Sequence, residues 1–131
     1  MPKEVIKTEL SPQPLGDYSQ AWTVTGSRLI FVAGQVPVDM NGNVVGAGDI
    51  ALQTRTVLDN IKGVLHGAGA ELRDVIKTNI YVTDMAAFWE KARAIRRDYF
   101  ADDFPSSTLV EVKSLARPEF MVEIEVIAAV G

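Results

Sequence analysis

The stretch VIKTNIYVTDMAAF, Val75 to Phe88, changes period partway along. Up to Thr83 it alternates. Ile76, Ile80 and Val82 fall on one side and Lys77 and Asn79 on the other, as a strand with one buried face requires. From Asp84 onward the apolar residues return every three or four positions. Asp84 has the short acceptor side chain that caps a helix. Met85, Phe88, Trp89, Ala92, Ile95 and Tyr99 form a stripe that carries this helix to about Phe100. A strand that runs into an amphipathic helix points to an α+β chain.

The same logic extends to both sides. Asp49 caps an earlier helix that ends near His66, with Ile50, Val57, Leu58, Ile61 and Leu65 on one face and Gly67 and Gly69 as its stop. AWTVTG (Ala21–Gly26) and RLIFVAG (Arg28–Gly34) are strand-forming runs across a short polar turn, expected to pair as a hairpin. Asn41-Gly42 marks a tight turn, because both residues tolerate positive φ. FMVEIEVIAAV (Phe120–Val130) alternates again, with Val122, Ile124, Val126 and Ala128 opposite Met121, Glu123, Glu125 and Ile127. Residues 1–18 carry Pro12, Pro14 and Gly16 and are expected to form an irregular arm with at most a short edge strand. The expectation is a single domain over residues 1–131: a hairpin, then helix, strand, helix and two strands. Two helices cover only one face of such a sheet. The other face mixes Lys77, Asn79, Tyr81, Glu123 and Glu125 with apolar groups, which suggests association through it.

Composition narrows the chemistry. The chain has 131 residues, no cysteine, one histidine and a net charge of −4. Thiol catalysis, cysteine metal sites and disulfides are excluded. No signal-peptide core or membrane-length apolar run is present, so a soluble cytoplasmic protein without a membrane partner is expected. Nucleic acid is not an expected partner, since the one basic cluster is Arg93, Arg96 and Arg97. At i, i+3, i+4 on a helix, those three read as a solvated stripe paired with nearby acids. His66, in the last turn of its helix, fits the helix dipole and reads as structural. No ligand set for a metal is visible.

FPSSTLVEV, Phe104 to Val112, concentrates hydroxyls at Ser106, Ser107 and Thr108, yet no adjacent base would make one a nucleophile. Glu123 and Glu125 share a strand face. Two carboxylates do acid–base work when their environments differ, and otherwise serve as salt bridges or solvated charges.

Several stretches together resemble the Rid family, also called YjgF-like or endoribonuclease L-PSP proteins. They are LGDYSQAW (Leu15–Trp22), VAGQVPVD (Val32–Asp39), the run from Gln53 to Phe88, and VEIEVIAAV (Val122–Val130). The resemblance implies a chorismate-mutase-like α+β fold: a mixed β-sheet with two helices packed on one face, in a homotrimer with small-molecule clefts between subunits. It implies enamine/imine deaminase chemistry that needs no metal or cofactor. In such members an arginine in a Pro-Ala-Arg-Ser stretch holds the substrate carboxylate. Here that stretch reads Pro105, Ser106, Ser107, Thr108, so the arginine falls on Ser107 and is absent.

The other carried-over positions are Tyr18, Ala33 (often serine), Gly34, and Glu123, which orients a water. Phe88 and Ala92 (often polar) are expected to line the wall, with Leu109 facing it from the neighbouring subunit. Arg117, in a loop one residue longer than the common pattern, is a candidate replacement cation. The expected function is a divergent hydrolase of a C=N bond with an altered substrate. Glu123 would activate water, Ser107 and Thr108 would position the small-molecule ligand, for which a carboxylate is the candidate, and Tyr18 would close the pocket. The alternatives are a non-catalytic ligand-binding or regulatory trimer and, against the acidic charge, a ribonuclease or translation inhibitor.

Overall fold

The computed structural model describes residues 3–100 and 103–131. Strands β1 (Lys3–Ile6) and β2 (Ala21–Val24) form an antiparallel two-stranded ribbon. β3 (Arg28–Gln35), β4 (Val75–Val82), β5 (Ser106–Glu111) and β6 (Val122–Val130) form the main sheet, in the order β3-β6-β4-β5. Only the β4–β5 pair is parallel, so the sheet is mixed. The expected hairpin between Ala21–Gly26 and Arg28–Gly34 does not form. β2 pairs with β1, β3 pairs with β6, and Gly26 at φ 63° turns the chain between the two sheets.

Helix α1 (Ile50–Gly67) lies across one face of the sheet. Asp49 Oδ1 accepts from the Leu52 amide at 3.0 Å, and all five residues of the expected apolar face are buried. Burying each such side chain contributes roughly 1.5–3 kcal/mol. Gln53, buried among them, ties two loops together. Its Nε2 donates to the Gly46 and Glu119 carbonyls, and its Oε1 accepts from the Met121 amide.

The second helix is shorter than its stripe suggested. α2 (Met85–Lys91) ends at Ala92, a single 3₁₀ turn covers Arg93–Ile95, and α3 (Arg96–Tyr99) follows. Neither glycine nor proline stands at the break. Ala92 leaves helical geometry at φ −127°, and the Arg93 carbonyl accepts from the Arg96 side chain. β4 also departs from strict alternation. A register shift between Val75 and Lys77 buries Val75 and leaves Ile76 half-buried. From Lys77 onward the alternation is regular and puts the Thr78 hydroxyl in the core with Ile80 and Val82, where its Oγ1 donates to Ser107 Oγ at 2.9 Å.

The sheet face away from the helices is open in a single chain. Phe31 is 71% and Leu29 44% exposed there, next to Lys77, Asn79, Tyr81, Glu123 and Glu125. Among the described residues no helix is long and apolar enough to cross a membrane.

Candidate active site

A cavity of about 490 Å³ opens at the β5 edge, on the helix-covered side of the sheet. Ser107 and Leu109 line it from β5, Met85 and Trp89 from α2, Arg96 from the start of α3, and Leu15, Gly16 and Tyr18 from the N-terminal arm. The arm is held from both sides. Asp17 accepts from Arg97 Nε at 2.8 Å, while the Ser19 hydroxyl donates to the Phe104 carbonyl and its amide to the Pro105 carbonyl. Trp22 Nε1 donates to the same Phe104 carbonyl at 3.1 Å. These contacts fix Tyr18 against the mouth of the cavity.

The expected ligand-binding residues divide into three groups. Tyr18, Ser107 and Leu109 meet in this cavity. Phe88 and Ala92 do not line it: they are 0% and 1% exposed, enclosed in the core, and the neighbouring Trp89 takes the wall position at 45% exposure. Ala33, Gly34, Thr108 and Glu123 lie away from it, Ala33 and Glu123 on the open face. Ser107 and Thr108 are successive strand residues and so point to opposite faces. Thr108 accepts from Lys77 Nζ at 2.9 Å on the open side.

Glu123 and Gly34 form the second half of the constellation. β3 carries an extra residue between Val32 and Gln35 relative to β6, a bulge at Ala33–Gly34. The bulge brings the Gly34 backbone under the Glu123 carboxylate, so that a Cβ built on Gly34 would lie 2.1 Å from Glu123 Oε2. Glycine is needed here for close approach, not for its dihedral freedom. Glu123 makes no hydrogen bond or ion pair among the described residues, whereas Glu125 Oε1 accepts from Asn79 at 3.0 Å and from the Tyr81 hydroxyl at 2.8 Å. The hydrogen bond to Glu125, then burial, then the charges of Glu125 and Glu123 raise the Tyr81 pKa above its ordinary value.

Two of the arginine expectations are corrected. Arg117 turns away from the cavity, donating to the Gly42 carbonyl at 2.8 Å and lying over the Phe120 ring. The Arg93–Arg96–Arg97 stripe is not uniformly solvated. Arg97 pairs with Asp17 and Arg93 stacks on Trp89 at 4.5 Å, but Arg96 is only 7% exposed and forms no ion pair among the described residues. Spacing at i, i+3, i+4 gave no sign of this, because the 3₁₀ turn over Arg93–Ile95 replaces the regular helix that the spacing assumed. No group of three or more acidic or histidine side chains able to hold a metal occurs among the described residues.

The fold is thus an α+β domain with a ligand-sized cavity at one strand edge and, on the opposite sheet face, a carboxylate without a partner among the described residues. The family profile described as Endoribonuclease L-PSP matches residues 8–130. A RutC family protein of Pyrococcus horikoshii is 44% identical over 96% of this chain and 97% of its own length. A 3-aminoacrylate deaminase, RutC, of Acinetobacter baylyi is 37% identical over 99% of this chain and 100% of its own. Among solved structures, YyfB of Yersinia pestis, described as a conserved Rid family protein of unknown function, superposes with a TM-score of 0.86. It is 32% identical, over 99% of this chain and 100% of that one. The chain belongs to the endoribonuclease L-PSP family, the Rid proteins.

Proposed function

We propose that the protein hydrolyses the C=N bond of a small enamine or imine, in clefts that two neighbouring copies of the chain share within a trimer. One observation carries this reading. Glu123, seated on the bare backbone of Gly34, is a carboxylate with no side-chain partner among the described residues, while Glu125 two residues away accepts two hydrogen bonds at Oε1. A carboxylate without an internal acceptor role is available to hold a water and take its proton. The water oxygen bonds to the carbon of the protonated imine as Glu123 accepts a water proton, and the C=N electron pair moves to the nitrogen to leave a neutral amine. Glu123 returns that proton to the nitrogen, the C–N bond then breaks as the new hydroxyl gives its proton back to Glu123, ammonia leaves and a carbonyl remains.

The division between the faces supports the shared cleft. The Ser107 cavity and Glu123 lie on opposite sides of one sheet, so one chain cannot bring both to one ligand. The apolar residues of the open face, Phe31 and Leu29 among them, favour burial against another copy. The deaminase relative from Acinetobacter supports the reaction class.

The test generates imines enzymatically from a panel of amino acids and follows their lifetime by semicarbazone trapping. Native protein is expected to shorten the lifetime of at least one imine, and Glu123→Gln to lose that effect at unchanged assembly mass. No acceleration by native protein across the panel would overturn the proposal.

A further inference from the structure

We propose that Arg96 is the anion-binding group of the cavity at the β5 edge, and that the ligand it holds is a carboxylate attached to a sizeable apolar body. The inference deepens the preceding reading by naming the substrate class, and it rests on that reading for the reaction alone.

Arg96 is 93% removed from solvent, since 7% of it remains exposed, and that remainder borders the cavity. The one hydrogen bond of its side chain among the described residues runs from Nε to the Arg93 carbonyl at 3.3 Å. The N–H groups of the two Nη atoms have no acceptor among the described residues and keep some contact with solvent. A guanidinium so enclosed and without an anion is costly, because water offsets its desolvation only in part. The acid that acts on it most, Asp17, is already engaged by Arg97 at 2.8 Å. Burial is the largest influence on Arg96 and holds its pKa below the ordinary arginine value. Asp17 opposes this, and Arg93 and Arg97 add to it. An anion entering the cavity would supply what the fold withholds, and two parallel N–H groups match the geometry of a carboxylate.

The remaining walls describe the rest of the ligand. Ser107 Oγ accepts from Thr78, which leaves its own proton to donate into the cavity. Trp89, Leu109, Met85 and Tyr18 supply mostly apolar surface, and Arg93 braces the Trp89 ring. The volume of about 490 Å³ falls in the roughly 300–1,000 Å³ range of sites for drug-sized ligands. A two- or three-carbon acid would leave most of it unfilled.

The probe pair is 3-phenylpropanoate and its neutral amide, 3-phenylpropanamide, titrated calorimetrically against the full-length protein. Native protein is expected to prefer the acid by roughly tenfold or more, as charge-assisted hydrogen bonds imply. Propanoate, which has the charge without the body, should bind more weakly than 3-phenylpropanoate. Arg96→Gln should abolish the acid preference while leaving amide affinity and assembly mass unchanged, and Arg96→Lys should keep part of it. Ser107→Arg added to Arg96→Gln should restore the preference by returning a guanidinium to the same cavity. Equal affinity of the native protein for acid and amide, or a preference that survives Arg96→Gln, would overturn the proposal. A loss of assembly mass in Arg96→Gln without any acid preference in native protein would assign Arg96 to a subunit contact and also overturn it. Should Arg96→Gln not fold, the native acid-to-amide ratio and Arg96→Lys decide. Turnover plays no part in these measurements, so a protein that binds the acid but hydrolyses no imine sinks only the preceding reading.

Discussion

The two faces of the sheet hold complementary things. Next to the helices, at the β5 edge, stands a guanidinium short of an anion, walled by apolar side chains. On the open face stands a carboxylate with no donor, beside a second carboxylate that already has two. The first face can hold a ligand and the second can handle a proton. Neither does both. The contrast also shows that burial and readiness differ, since Glu123 and Glu125 share a strand face and similar burial but not a similar state of satisfaction.

The strongest way to break this comparison is to separate the faces between subunits. Glu123→Gln alone should reduce turnover by about 10²–10⁴-fold, the usual contribution of a general base, and Glu125→Gln by much less. Glu123→Gln and Arg96→Gln proteins, each defective, should recover activity when unfolded together and reassembled. Recovery should reach up to about a quarter of the native rate, because each shared cleft draws its two walls independently. No recovery, with both variants assembled, would place the two residues in one chain's site.

Phe88 and Trp89 sharpen the contrast between core and cavity wall. Phe88→Ala, at a fully enclosed position, should lower stability by about 3–5 kcal/mol in urea unfolding. Trp89→Ala should stay within about 0.5 kcal/mol of native, yet weaken 3-phenylpropanoate binding. The opposite pattern would mean that the wall is assigned to the wrong helix face.

Gly34→Ala is a smaller perturbation. The added methyl meets the end of a flexible side chain, so Glu123 should move and the fold survive. Turnover should fall about tenfold to a hundredfold, the scale of a misplaced catalytic group. Ligand binding on the other face should not change, and a parallel loss of binding would contradict the division.

The smallest effect concerns pH. The Tyr81 hydroxyl holds its proton to higher pH in the folded chain than in the unfolded one, where its value is near 10.0. Its contribution to stability is therefore complete below that value and is lost as pH rises through the folded one. Burial, with a hydrogen bond to Asp59, moves Tyr99 in the same direction. Urea midpoints should be level to about pH 9 and then fall, and Tyr81→Phe should make the decline shallower without removing it.

Much of the scaffold was legible because periodicity reports burial over many residues at once. The five apolar residues assigned to one face of α1 are all buried, and the alternation of β6 places its two glutamates on the open face. What escaped were single-residue events. The shift between Val75 and Lys77 exchanges Ile76 for Val75 in the core, and alternation alone cannot reveal a bulge. The 3₁₀ turn over Arg93–Ile95 replaces the regular helix that the spacing of the three arginines assumed, and Arg96 is buried while Arg93 and Arg97 stay exposed. The difference between Glu123 and Glu125 depends on the cross-strand partners, and a register of Asn79 opposite Glu125 is not encoded in the spacing of either strand. That residue 107 is a serine was plain from the sequence. The guanidinium eleven residues earlier could be connected with it only once the chain had folded.

The strand order β3-β6-β4-β5 puts the last-made strand in the middle of the sheet. While the chain is being synthesised, β3 and β4 have no common neighbour until residues 122–130 have emerged, and α1 has only β3 of its floor to lie on. Local helix can form early, but the sheet closes in one late step across long stretches of chain. Until then the apolar face of α1 is exposed to whatever else is nearby, a period in which a nascent chain of this kind depends on chaperones or on speed. A stop codon or frameshift a few residues into β6 would therefore not trim the protein but remove the piece that joins its two halves.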